Sequence, residues 1–95
     1  EGFYEWTFYI IFSMLNVYVR TQVKCINGRI DILIKMPDTI YVMELKLHGT
    51  PLSALKQIES GDYGVPYTTD GRKVVKVGIR FDMTKLAVKD WKINM

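Results

Sequence analysis

The chain has 95 residues, enough for one domain and too few for two. Its 48 % hydrophobic content supports a real core and argues against a disordered chain, while its single cysteine, Cys25, excludes an internal disulfide and suits a reducing cytoplasm. A net charge of +3 permits a polyanionic partner without requiring one.

The sequence starts without a methionine, inside an apolar run, and reads as one domain of a longer chain. Residues 3–15, "FYEWTFYIIFSML", carry no Gly or Pro and predict a helix. The run is 13 residues long and contains Glu5, whereas a membrane span needs roughly 20 apolar residues. It also lacks a basic leader and a cleavage site, so neither a signal nor an anchor is expected. Its apolar residues cover nearly every face, as in a helix buried on more than one side. One side can pack on a sheet. The other is expected at an interface, as a homodimer through residues 3–15 or against an attached domain.

Residues 17–25 alternate loosely and read as a strand, and Asn27-Gly28 marks a turn. Residues 29–36 and 39–47 are two further strands hinged at Pro37-Asp38. "TPLSALKQIESG" (50–61) predicts a helix with Thr50 as N-cap, Pro51 in its first turn, Gly61 at its end and Leu52, Leu55 and Ile58 as its apolar stripe. Residues 63–72 read as loop, 73–81 as a strong strand and 88–95 as a weaker one. The order α-β-β-β-α-β-β predicts an α/β (α+β) domain with a mixed central sheet flanked by helices.

Charges interrupt two of these strands. Side chains alternate along a strand, so Glu44 and Lys46 share a face with Ile40 and Val42. Asp31 shares one with Arg29 and Leu33, and Ile30, Ile32 and Ile34 take the opposite one. A two- or four-residue loop at Pro37-Asp38 pairs positions summing to 75, which sets Asp31 opposite Glu44 with Cβ atoms roughly 4.5–5.5 Å apart. Pro37 cannot take the positive φ of a type I′ turn, which favours the longer loop. Two carboxylates so close repel by about 3 kcal/mol at an effective dielectric near 20. A shared proton, the Lys46 ammonium or a divalent ion would each relieve this, and hard oxygen ligands suit Mg²⁺ or Mn²⁺. An ion-pair network that only fixes strand register would use the same residues.

Asp31, followed by Glu44-Leu45-Lys46, resembles the signature of the PD-(D/E)XK nuclease superfamily, with Ile30-Asp31 where many members have Pro-Asp. Four blocks in order strengthen the likeness: "NGRIDILIKMPDTIYVMELKL", "ALKQIESGDYGVPY", "DGRKVVKVGIRF" and "VKDWKI". Together they resemble the nuclease-like C-terminal domain of bacterial AAA-ATPase-like proteins. The resemblance implies a restriction-endonuclease-like αβββαβ core and Mg²⁺-dependent cleavage of DNA. In that scheme Asp31, Glu44 and the Leu45 carbonyl hold Mg²⁺ (or Mn²⁺), and Lys46 orients the attacking water and stabilises the phosphate. Glu5 is a candidate for a first-helix glutamate, against a solvated helix face. Gln57 and Tyr63 resemble a Gln…Tyr element near the substrate, with packing roles as the other reading.

Arg72, Lys73, Lys76 and Arg80 are candidates for nucleic-acid contact or for a solvated face, and His48 for the mouth of the site or for plain surface. Gln22 stands where the branch often has an acid, and a neutral amide binds Mg²⁺ less well. The alternative function is therefore a catalytically weak or inactive module that binds nucleic acid or a partner ATPase domain.

Overall fold

A computed structural model describes residue 5 and residues 18–69, 71–82, 84–85 and 87–94. The predicted helix over 3–15, and the homodimer expected through it, fall outside the described residues apart from Glu5, which is helical. The rest forms a five-stranded sheet in the order β1-β2-β3-β4-β5, with strands Tyr18–Cys25, Gly28–Lys35, Thr39–Lys46, Lys73–Asp82 and Ala87–Asn94. Helix α1, Pro51–Ser60, packs on β3 and β4. No helix among the described residues is long and apolar enough to cross a membrane.

The first three strands form an antiparallel meander. Cys25 pairs with Gly28 across Ile26-Asn27, and Lys35 pairs with Ile40 across the Pro37-Asp38 turn. The Met36 N–H donates to the Thr39 carbonyl at 2.7 Å, closing that turn. The β2–β3 pairs sum to 75, the register expected from the turn. The chain then crosses through α1 and a 3-10 turn (Val65–Tyr67) into β4, which pairs with β3 in parallel, so the sheet is mixed. β5 returns antiparallel to β4, with a bulge at Arg80/Phe81.

Helix α1 begins where the sequence signals it. The Ser53 N–H donates to the Thr50 hydroxyl at 3.0 Å, and the Thr50 N–H donates to the Ser53 hydroxyl at 2.9 Å. This reciprocal cap satisfies two N–H groups that would otherwise lack partners. The buried stripe is Pro51, Ala54, Leu55 and Ile58, and Leu52, expected in it, is 46 % exposed. Pro51 and Ala54 face the sheet in place of Leu52 because the helix comes close to it at Gly78. A side chain there would collide with the Pro51 carbonyl and lie 3.1 Å from Ala54 Cβ and Leu55 N. Glycine in a strand commonly marks such a close backbone approach.

Leu55 and Ile58 of α1 pack with Ile30, Leu33, Ile40, Val42 and Tyr63 in one cluster. Other clusters hold Val19, Ile32 and Ile34, and Leu45, Val75, Val77 and Ile79. β5 is exposed along its whole length.

Candidate active site

Strict alternation fails in β2 at Asp31. Ile30 and Leu33, three residues apart, both join the cluster beneath α1, so the expectation that Ile30 shares a face with Ile32 and Ile34 is corrected. The β1–β2 pairs sum to 53, which sets Gln22 across from Asp31 on one side. The β2–β3 pairs set Glu44 across from it on the other. Neither Gln22–Asp31 nor Asp31–Glu44 is a ladder pair. Gln22 adopts φ +53°, a left-handed conformation that costs a non-glycine residue of order 1–3 kcal/mol. Across the other gap the Leu45 N–H donates to Asp31 Oδ2 at 2.8 Å, so the carboxylate stands in for a backbone partner. The ladder is thus open on both sides of one acid.

Around that opening the structure brings together Glu5, Asp31 and Glu44, which are 2 %, 8 % and 3 % exposed. Glu5 is therefore buried, not on a solvated helix face. Gln57 on α1 ties two of the candidate residues together. Its Nε2 donates to Glu44 Oε2 at 2.6 Å, and its Oε1 accepts from Lys46 Nζ at 2.5 Å. Gln22 Nε2 donates to Glu5 Oε2, and Gln22 Oε1 accepts from Arg29 Nη1 at 3.5 Å. One oxygen each of Glu5 and Glu44 is buried with no hydrogen-bond partner.

Burial, with Asp31 as a charged and hydrogen-bonding neighbour, raises the Glu5 carboxyl to about 7 and the Glu44 carboxyl to about 8. Lys46 opposes the rise at Glu44, and Gln22 opposes it at Glu5. Burial and the neighbouring carboxylate therefore favour the protonated forms of Glu5 and Glu44.

The other candidates do not join this cluster. Tyr63 is 3 % exposed and belongs to the core, wedged where any side chain at Gly28 or Gly61 would strike it. Lys76 pairs with Glu59 at 2.8 Å, and Arg72 Nη1 donates to the Met36 carbonyl at 3.1 Å. Lys73 is exposed at the start of β4. Arg80 is paired with Lys46 in the β3–β4 register and donates from Nη1 to the Gly49 carbonyl at 3.0 Å. His48 is exposed just beyond β3. Sequence reasoning treated Gln22 as a missing acid and did not find its link to Glu5 or to Arg29. Gly78, which lets α1 bring Gln57 over Glu44 and Lys46, was signalled by a lone glycine inside a strong strand pattern.

Among the described residues no three His, Cys, Asp or Glu side chains form a metal-holding group. Mg²⁺ needs no such cage, since it is commonly held by one or two carboxylates and keeps several waters. The donors fit it: they are hard oxygens, and Glu44 Oε1, like Oε1 of the neighbouring Glu5, is buried without a partner. Glu44 and Asp31 would be its protein ligands.

Comparison with known proteins agrees with this geometry. The PD-(D/E)XK nuclease superfamily matches residues 1–91. An uncharacterised protein encoded in the vnfD 5′ region of Azotobacter chroococcum mcd 1 is 30 % identical over 90 residues, covering 93 % of this chain. The chain spans only 17 % of that relative's length. No solved structure matches. With the family match extending over nearly its whole length, the chain belongs to the PD-(D/E)XK nuclease superfamily.

Proposed function

We propose that this domain hydrolyses phosphodiester bonds of DNA in a Mg²⁺-dependent reaction centred on Asp31, Glu44 and Lys46. The observation that carries the reading is the buried, open-sided acid cluster with an ammonium tethered beside it through Gln57. Asp31 and Glu44, with the Leu45 carbonyl, would hold the ion. When bound, the ion supplies a water of lowered pKa and charge neutralisation at the phosphate. Asp31 is pinned by the Leu45 amide, which fixes the carboxylate's position beside Glu44. Gln57 orients Glu44 and Lys46 as a unit, and the Lys46 ammonium lies ready to stabilise the negative charge that grows on the phosphate.

The test has two readouts. Mg²⁺ or Mn²⁺ should raise the melting temperature of the wild type and not of Asp31→Asn; a site filled to a hundred times its Kd gains about 2.7 kcal/mol. Labelled oligonucleotides should be cut by the wild type only in the presence of the ion, and not by Lys46→Ala. No cleavage in the presence of the ion would end the proposal, and ion-independent melting would remove the metal site on which it rests.

A second reading is favoured by Gln22. A neutral amide on Glu5 supplies no charge to an ion, which suits a module that binds nucleic acid or a partner ATPase domain with little turnover. It predicts a salt-dependent complex without metal-dependent cleavage. A cytoplasmic setting and a linked ATPase belong to both readings.

A further inference from the structure

At the carboxyl ends of the parallel strands β3 and β4 lies a cleft of about 350 Å³, lined by Leu47, His48, Arg80, Phe81, Asp82 and Lys89 among others. Ligands of sheets with parallel strands characteristically bind beyond the carboxyl ends of those strands. One of its lining residues, Arg80, is the register partner of Lys46, which places the cleft about one strand spacing from the acid site.

We propose that this cleft takes one unpaired nucleotide of the nucleic-acid chain, adjacent to the phosphate addressed by Lys46. Its placement rests on the nuclease reading above, while its binding does not.

Three observations carry it. The volume lies at the low end of the roughly 300–1,000 Å³ of small-molecule pockets, which suits one nucleotide and not a duplex. The charge is complementary to a phosphodiester. Arg80 and Lys89 outnumber the one acid, Asp82, whose Oδ1 accepts from the N–H groups of Thr84 and Lys85 at 2.8 and 3.1 Å and so is turned toward that loop. The Arg80 guanidinium is held in place by the Gly49 carbonyl, and its Nε is buried without a partner. Finally, Leu47 and Phe81 give the cleft an apolar wall beside these cations. Apolar and aromatic surface next to positive charge is how single strands are held without regard to sequence.

The experiment is fluorescence anisotropy of the full chain in EDTA, where nothing is cut. The probes are a blunt DNA duplex, the same duplex with a three-nucleotide overhang, and an unpaired strand. The overhang should bind about tenfold more tightly than the blunt end, the scale of one stacked base. Lys89→Glu and His48→Ala, both at exposed positions, should remove that preference. Lys24→Glu, on β1 and outside the cleft, should weaken all probes alike.

Equal binding of blunt and overhanging ends by the wild type, or a preference that survives both cleft variants, would overturn the proposal. Failure to bind any probe would do the same. A preference without cleavage in Mg²⁺ keeps the subsite and removes the nuclease reading; cleavage without preference does the reverse.

Discussion

Lys76 and Glu59 meet at 2.8 Å with their side chains 27 % and 47 % exposed, so water solvates whatever the pair leaves unsatisfied. Glu5, Asp31 and Glu44 are 8 % exposed or less, and two of their oxygens have no partner. A surface pair of the first kind contributes between nothing and about 1 kcal/mol. A buried, unsatisfied polar atom costs about 1–3 kcal/mol. The sheet thus settles one set of charges cheaply and leaves another unsettled at its centre. Folding alone gives no reason for the second set, whereas an incoming cation does.

The contrast can be broken most strongly at the acids. Glu44→Gln should lower metal-dependent cleavage by about 10²–10³-fold or more, the scale of losing a group aimed at developing charge. The same change should stabilise the metal-free protein at pH 8, by the order of 1 kcal/mol, because it removes like-charge repulsion. Oligonucleotide cleavage and urea denaturation in EDTA measure the two effects. Lower metal-free stability would contradict the repulsion.

Acidity probes the same cluster without mutation. Glu5 and Glu44 have folded pKa values raised from 4.5 to about 7 and about 8. Between those limits the folded protein keeps protons that the unfolded chain has released. Metal-free stability is therefore greatest on the acid side of this window and falls as pH rises through it. The slope is about 1.4 kcal/mol per pH unit for each retained proton. Denaturation in EDTA at pH 5, 6.5 and 8 measures it, and Mg²⁺ should reduce the fall by replacing the protons. A flat profile would mean that Glu5 and Glu44 do not hold their protons above the unfolded range.

A smaller effect sharpens the link between packing and site. Gly78→Ala should cost about 1–3 kcal/mol by forcing α1 away from β4. It should also reduce cleavage, because Gln57 rides on that helix. Unchanged activity at reduced stability would separate Gln57 from the chemistry. Smallest of all, Glu59→Ala should change stability by less than about 1 kcal/mol, since only the exposed pair and the 3.1 Å contact from Asn94 are lost.

Local chemistry made much of this architecture readable in advance. Pro37-Asp38 fixed where the hairpin turns, and the turn fixed which residues pair. Thr50-Pro51 and Gly61 bracketed α1. The alternation of "IYVMELK" put Glu44 and Lys46 on the helix side. What could not be read depends on contacts distant in sequence or on breaks in regularity. Period-two reasoning misassigned Ile30 because Asp31 interrupts both ladders. The left-handed turn of Gln22 has no signal in its residue type. Leu52 was expected inside because apolarity was weighed without the close approach that Gly78 permits. Glu5 comes near Asp31 only through packing, across 26 positions that no periodicity connects.

The parallel pairing of β3 with β4 has a consequence for the order of assembly. Ile32 meets Met43 within one hairpin, 11 positions apart, whereas Thr39 and Lys73 are joined across 34. Hairpins close in about 1–10 μs, while distant pairings form more slowly because a longer loop must be ordered first. Asp31 and Glu44 should therefore be neighbours early in folding, and Arg80 should reach Lys46 last. Pulse-labelled hydrogen exchange, with amides of β2 protected before those of β4, would record this sequence of events.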